Sequence, residues 1–274
     1  MKFIVTADTQ LGLYSKFSEI NDDSLQKRWR SKRFDKFNFK NLSPTPSLEY
    51  EVNKFKKLSD QIKDHKYLFI TILGDLINDH NSDLQFQKFK AITDKNFINS
   101  KLNLIPGNHD LNEPPDIDSL NLYRHRFGHD YYIKTYNKYR FVFLNSTILR
   151  DPSLLNNEYD EQLKLIDNAL NAYSEDLFIF MHHSLFYDDI TEKLNGWNID
   201  KNVRLDIVNK LTKHDKHIYL FTGHLHKNRI VKYKNITNIT VSSIGVPLGE
   251  DPSGYYVVDY IDKNLNYEFI SLGD

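Results

Sequence analysis

The chain has 274 residues, 40 % hydrophobic and 27 % charged, enough apolar material to bury a substantial core and ordinary for a soluble globular protein. Its 36 basic and 37 acidic residues leave a net charge of -1, a balance that makes nucleic acid an unlikely partner. No cysteine is present, which excludes disulfides, thiolate metal sites and cysteine nucleophiles.

The first element is the apolar run FIVTAD (3–8), which stops at Asp8 and is followed by Gln10. Because this run is short and meets a carboxylate, it does not read as a secretory leader. No stretch elsewhere approaches the roughly 18 apolar residues of a membrane span. A cytoplasmic protein with no membrane partner is expected. Next comes a basic segment at 27–47, with seven Lys or Arg up to Lys40 and then Pro44 and Pro46. It reads as a solvated insertion; the alternative is a loop leaning over the site to attract an anion.

Residues 48–62 place Leu48, Val52, Phe55, Leu58 and Ile62 three or four apart, which predicts a helix with one apolar face. YLFITILGD (67–75) and LNLIPGNHD (102–110) follow, the first ending in Asp75 and the second in Asn108, His109 and Asp110. In the block from Tyr123 to Tyr132, the aromatics could close the core beneath a loop, or Arg124 or Arg126 could reach a substrate phosphate. A second amphipathic helix is predicted over 159–173. DLFIFMHH (176–183) and HIYLFTGHLH (217–226) deliver His182 with His183, then His224 with His226. The tail, with NITNITVSSIGVPLG, SGYYVVDYI and NYEFISL, reads as strands joined by turns.

Apolar runs of this length are expected to be strands buried on both faces. Their alternation with helices predicts an α/β fold, and the antiparallel tail favours two mixed sheets with helices outside. No linker or repeat divides the chain, so 1–274 reads as one domain. In such sheets ligands gather beyond the carboxyl ends of the strands. All five runs bring metal-capable side chains there. Oxygen donors mixed with imidazole suit divalent Mn, Fe, Zn or Co.

The series Asp8-Thr9-Gln10, Gly74-Asp75-Leu76-Ile77-Asn78, Gly107-Asn108-His109-Asp110, His182 and Gly223-His224-Leu225-His226 resembles the calcineurin-like metallophosphoesterase superfamily. Further blocks, Asp8 to Leu13, Tyr123 to Tyr132, Asn145-Ser146 and Gly245 to Gly249, resemble its subgroup of calcineurin-like phosphoesterase domain-containing protein 1. The resemblance implies a four-layer αββα sandwich holding two metal ions, Mn, Fe or Zn. It implies one ion held by Asp8, Gln10, Asp75 and His226 and a second by Asp75, Asn108, His182 and His224, with Asp75 bridging. By the same resemblance, His109 is the acid that assists the leaving oxygen and Asp110 orients it. His183 is left between a packed residue and a substrate contact, and Asn78 is expected to hydrogen-bond around the site. The implied reaction is hydrolysis of a phosphomonoester, small-molecule or protein-borne, by a metal-activated hydroxide. A phosphodiesterase using the same residues and a non-catalytic scaffold are the alternatives. Gln10 stands where many members of the superfamily carry His, so the first metal site is expected to be weaker or more tolerant of hard ions.

Overall fold

In the computed structural model, residues 1–18, 47–63, 66–97, 102–172, 176–248 and 250–273 are described. The basic 27–47 segment therefore lies outside the described residues except for Ser47. The first sheet contains β1 (Lys2–Thr6), β2 (Ile70–Leu73), β3 (Leu102–Ile105), β10 (Gly254–Ile261) and β11 (Asn264–Ser271), in the order β11-β10-β1-β2-β3. The second contains β4 (Tyr132–Tyr136), β5 (Tyr139–Phe143), β6 (Leu177–Phe180), β7 (Ile218–Thr222), β8 (Arg229–Tyr233) and β9 (Ile236–Thr240), in the order β4-β5-β6-β7-β9-β8. Both are mixed. β1, β2 and β3 run parallel, and so do β5, β6, β7 and β9, while β10, β11, β4 and β8 join antiparallel.

Period-two alternation sorts the side chains into layers. Ile4 joins Val52, Phe55 and Leu58 of α1 (Leu48–Ile62) and Phe89 and Ile92 of α2 (Asp83–Asn96) on the outer face of the first sheet. Its neighbours Phe3 and Val5 turn inward and meet Phe141, Phe143, Phe178, Phe180 and Phe221 from the second sheet. Val142, Ile179 and Leu220 face out again, against Ile166 of α5 (Asn156–Ala172) and Ile207 of α6 (Lys201–Thr212). The order is helices, sheet, sheet, helices, as expected. The inter-sheet layer is largely aromatic. Phe180 stacks between Phe143 (4.9 Å) and Phe221 (5.2 Å), and Phe3 presents its edge to four rings of that row.

Helix α1 has the predicted bounds, and the Ser47 side chain caps it by accepting from the Tyr50 N–H. Helix α5 begins three residues before its predicted start. Helix α3 (Ile117–Phe127), the short α4 (Ser146–Arg150), α2, α6 and the β4–β5 hairpin had not been singled out. One expectation fails in part: β3 alternates buried and half-buried residues, because it is the edge of its sheet and has a strand on one side only. No helix among the described residues is long and apolar enough to cross a membrane.

Candidate metal centre

The site is assembled by a regular device. Asp8, Asp75, His182 and His224 each lie two residues beyond the end of a strand, β1, β2, β6 and β7, so both sheets deliver side chains at the same end. The chain there turns sharply. Asp8, Gln10, Asp75, His224 and His226 all hold a positive φ, between 39° and 64°, which L residues rarely adopt. Such backbone persists where surrounding structure enforces it, and it clusters at functional sites. Here the enforcement is visible in hydrogen bonds. The Asp8 N–H donates to the Gly74 carbonyl (3.1 Å) and the Gln10 N–H to the Asp75 carbonyl (2.7 Å), while the His224 N–H donates to Asp8 Oδ2 (3.0 Å).

Two glycines are required for different reasons. Gly74 takes a φ of +82°, and a Cβ there would sit 2.8 Å from His182 Nδ1. Gly107 has an ordinary φ, but its Cβ would fall 2.1 Å from Asp75 Oδ1, so bulk there would displace the carboxylate.

Three imidazoles are oriented in the same way. His182 Nδ1 meets the Leu73 carbonyl at 2.6 Å, His226 Nδ1 meets the Val246 carbonyl at 2.5 Å, and His224 Nε2 meets the Gly196 carbonyl at 2.7 Å. A carbonyl can only accept, so each of those nitrogens carries a proton, and the opposite nitrogen presents a lone pair when the ring is neutral. The opposite nitrogens face the carboxylates and each other. His182 Nε2 lies 3.3 Å from Asp75 Oδ2 and 3.3 Å from Asn108 Oδ1, His226 Nε2 lies 3.5 Å from Asp8 Oδ1, and His224 Nδ1 lies 3.2 Å from His182 Nε2. The positive φ values splay the two histidines of Gly-His-x-His, so one faces Asp8 and the other His182.

Electrostatics separate His182 from the other two imidazoles. Burial pushes the Asp8 carboxyl well above the usual carboxylate range. Burial also opposes ionisation of Asp75, but the adjacent His182 overcomes it and holds Asp75 below that range. His182 is likewise opposed by burial, yet Asp75 and Asp8 hold it up at about 9. Burial lowers His224 to about 3 and His226 to about 4, so both are neutral donors at pH 7. Asp8 Oδ1 and Gln10 Oε1 are buried with no hydrogen-bond partner among the described residues. Such orphaned oxygens are costly unless a cation or donor meets them. Atoms of Asp8, Asp75 and His182 able to ligate a metal lie within 4.8 Å of one another, and so do those of His182, His183 and His224. The donor set, oxygen and imidazole with no thiolate, suits a divalent metal centre.

His109 sits at the rim. Its backbone N–H donates to Asp75 Oδ1 (2.9 Å) and its Nδ1 to the Asn78 carbonyl (3.0 Å). Asp110 had been expected to orient it, and the geometry differs. The Asp110 carboxylate turns inward and accepts from the N–H groups of Leu76 (3.0 Å), Ile77 (3.2 Å) and Gly107 (2.9 Å). It staples the Asp75 turn to the Asn108 turn, and the Asn78 carbonyl takes the orienting role. His183 is fully buried. Ser146 Oγ accepts the N–H groups of His182 (3.1 Å) and His183 (2.8 Å), so its own proton goes to His183 Nδ1 at 3.1 Å. Burial keeps His183 neutral, lowered well below its ordinary value.

Arg124 and Arg126 are otherwise engaged. Arg124 donates to Asp130 (2.7 Å) and forks onto Glu158 (3.1 and 2.9 Å), while Arg126 binds Asp83 and the His80 carbonyl. The 123–132 block thus supports the packing of α3 on α5. Sequence reasoning missed Ser146 as the support of the His182-His183 pair, although Asn145-Ser146 had been marked. It also missed the carbonyls of Leu73, Gly196 and Val246, which carry no sequence signal because every residue has one.

The chain is 27 % identical over 285 residues to the mouse serine/threonine-protein phosphatase CPPED1, covering 99 % of this chain and 84 % of that protein. The human protein of that name is 26 % identical over 286 residues, with the same coverage. Among solved structures, a dimetal phosphatase from Danio rerio superposes with a TM-score of 0.63 at 14 % identity, covering 99 % of this chain and 96 % of that one. A purple acid phosphatase from yellow lupin seeds gives 0.67 at 14 % identity, covering 99 % of this chain and 51 % of that one. The sequence profile of the calcineurin-like phosphoesterases matches residues 1–228, so the chain belongs to that family and is a metal-dependent phosphoric ester hydrolase.

Proposed function

We propose that the chain hydrolyses phosphomonoesters at a binuclear metal centre. One observation carries the reading: three imidazoles, each fixed through one nitrogen by a backbone carbonyl, turn the other toward a cluster containing two buried carboxylates, one from each of two parallel strands. In this assignment Asp8, Gln10, Asp75 and His226 hold one ion, and Asp75, Asn108, His182 and His224 hold the second. Mn, Fe and Zn suit these donors.

Divalent ions at such a site supply a water of lowered pKa and neutralise charge on the phosphoryl group. The chain's own residues do the rest. His109, held through Nδ1 by the Asn78 carbonyl, keeps Nε2 available to hand a proton to the leaving oxygen. The Asp75 Oδ1 bond to the His109 N–H fixes the distance between acid and centre. Asp110 acts indirectly, by holding both turns through backbone amides. The phosphatase names of the curated relatives support a monoester over a diester. Paired rates on p-nitrophenyl phosphate and bis-p-nitrophenyl phosphate test this. The monoester should be turned over faster after Mn, Fe or Zn loading. A strong preference for the diester would establish the phosphodiesterase alternative, and inactivity with either after loading would establish the scaffold.

A further inference from the structure

The carbonyls that orient the three imidazoles are not equivalent. Leu73 and Val246 are buried, whereas Gly196, which holds His224, is exposed on the segment between β6 and α6. The next residue, Trp197, places its ring centroid 5.6 Å from that of His224, with 58° between the planes. The indole is half-buried, and Leu194, three residues earlier on the same segment, is 51 % exposed. An aromatic side chain left partly open beside His224 is available to whatever the centre binds.

This segment is built as a wall. Asn195 Oδ1 accepts the Trp197 N–H (2.7 Å), and Asn198 Oδ1 accepts the Asn195 N–H (2.9 Å). Arg150 reaches across from α4 to donate to the Asn195 carbonyl (3.1 Å) and the Asn198 carbonyl. Glu192 gathers the N–H groups of Tyr187 (2.6 Å) and Asp188 (2.8 Å), and the fully buried Arg204 pairs with it at 3.2 Å. An aromatic side chain on so constrained a backbone loses little freedom when a ligand packs on it, which favours its use in recognition.

We propose that Trp197 is a specificity-determining residue that stacks on the organic group of the substrate and selects aryl phosphates over polar alkyl phosphates; this rests on the phosphomonoesterase reading above. In an aryl phosphate the ring is bonded directly to the ester oxygen, only one atom from phosphorus, and the Trp197 indole lies 5.6 Å, centroid to centroid, from the His224 ring assigned to the centre. A polyhydroxylated alkyl group of similar size offers no flat apolar face to it.

The test compares phenyl phosphate with glycerol 2-phosphate, reading released phosphate for the wild type, Trp197→Ala and Trp197→Phe, with the metal content of each protein measured in parallel. The aryl-to-alkyl ratio of kcat/KM should fall by up to about tenfold in Trp197→Ala, the size expected of one lost aromatic contact. The loss should appear mainly as a raised KM for phenyl phosphate, Trp197→Phe should recover most of it, and bound metal should be unchanged. An unchanged ratio, or equal losses on both esters together with lost metal, would overturn the proposal and leave Trp197 as support for His224. A wild type inactive on both esters and on p-nitrophenyl phosphate after metal loading would instead remove the monoesterase reading beneath it.

Discussion

His109 Nδ1 lies 3.0 Å from the backbone carbonyl of Asn78, and this contact holds the rim histidine in place of a carboxylate. Because a main-chain oxygen cannot be titrated away, His109 keeps its orientation whatever its charge. His109→Asn should lower kcat by about 10²- to 10⁴-fold, the usual contribution of a positioned acid, while bound metal stays near the wild-type amount. Metal analysis alongside kcat decides this, since equal loss of both would make His109 a ligand.

Asp110 is expected to behave in the opposite way. Its carboxylate accepts N–H groups from Leu76, Ile77 and Gly107 and is 1 % exposed. Removing it in Asp110→Ala orphans three buried donors, each worth about 1–3 kcal/mol. Thermal unfolding should show a large drop in Tm with lost metal. A stable, metal-loaded variant with low turnover would restore the direct catalytic role.

Gln10 presents a buried amide oxygen with no protein partner among the described residues, at a φ of 39°. An amide is a weaker donor than imidazole. Gln10→His should slow metal loss to a chelator, followed by metal content over time. Faster loss would argue that Gln10 is not a ligand.

Glu51, from the first turn of α1, accepts the N–H groups of Gly12 (2.9 Å) and Tyr14 (2.6 Å) just after the Asp8–Gln10 turn. Burial pushes its carboxyl up to about 7, against the lowering pull of those donors. A raised acid holds its proton more tightly in the folded state. Its contribution is therefore most favourable below the unfolded value near 4.5 and is lost as pH rises through about 7, by up to about 3 kcal/mol. Relative to Glu51→Gln, wild-type Tm should fall between pH 5 and pH 8. A constant difference across that range would contradict the assignment.

Phe3 is fully buried and touches Phe69, Phe141, Phe178, Phe180 and Phe221. Phe3→Ala should cost about 3–5 kcal/mol in denaturant unfolding, because the cavity opens between two sheets that cannot both collapse onto it. A loss under 1 kcal/mol would show that this layer repacks freely.

What the sequence made legible follows from simple rules. The convergence of Asp8, Asp75, His182 and His224 could be read because each closes an apolar run, and an α/β fold brings its strand ends together. Asp110 was misread for a local reason: adjacency to His109 suggested a side-chain pair, but the turn at 107–110 folds the carboxylate back onto the amides of 76 and 77. Helix α2 was hard to see because it buries only Phe89 and Ile92, too few positions for a clear stripe. The Glu51 contact to Gly12 spans 39 residues and includes the basic segment in its loop, a distance at which pattern reading has no purchase.

The most direct test of the two-metal account is metal stoichiometry, measured on the purified wild type and on Asp75→Asn after loading with Mn, Fe or Zn. Asp75 is the carboxylate assigned to both ions, with Oδ2 beside His182 and Oδ1 on the His109 N–H. About two ions per chain in the wild type, falling below one in Asp75→Asn with loss of p-nitrophenyl phosphate hydrolysis, is the predicted result. A fully active wild type with a single ion, or an Asp75→Asn variant that keeps two, would contradict it.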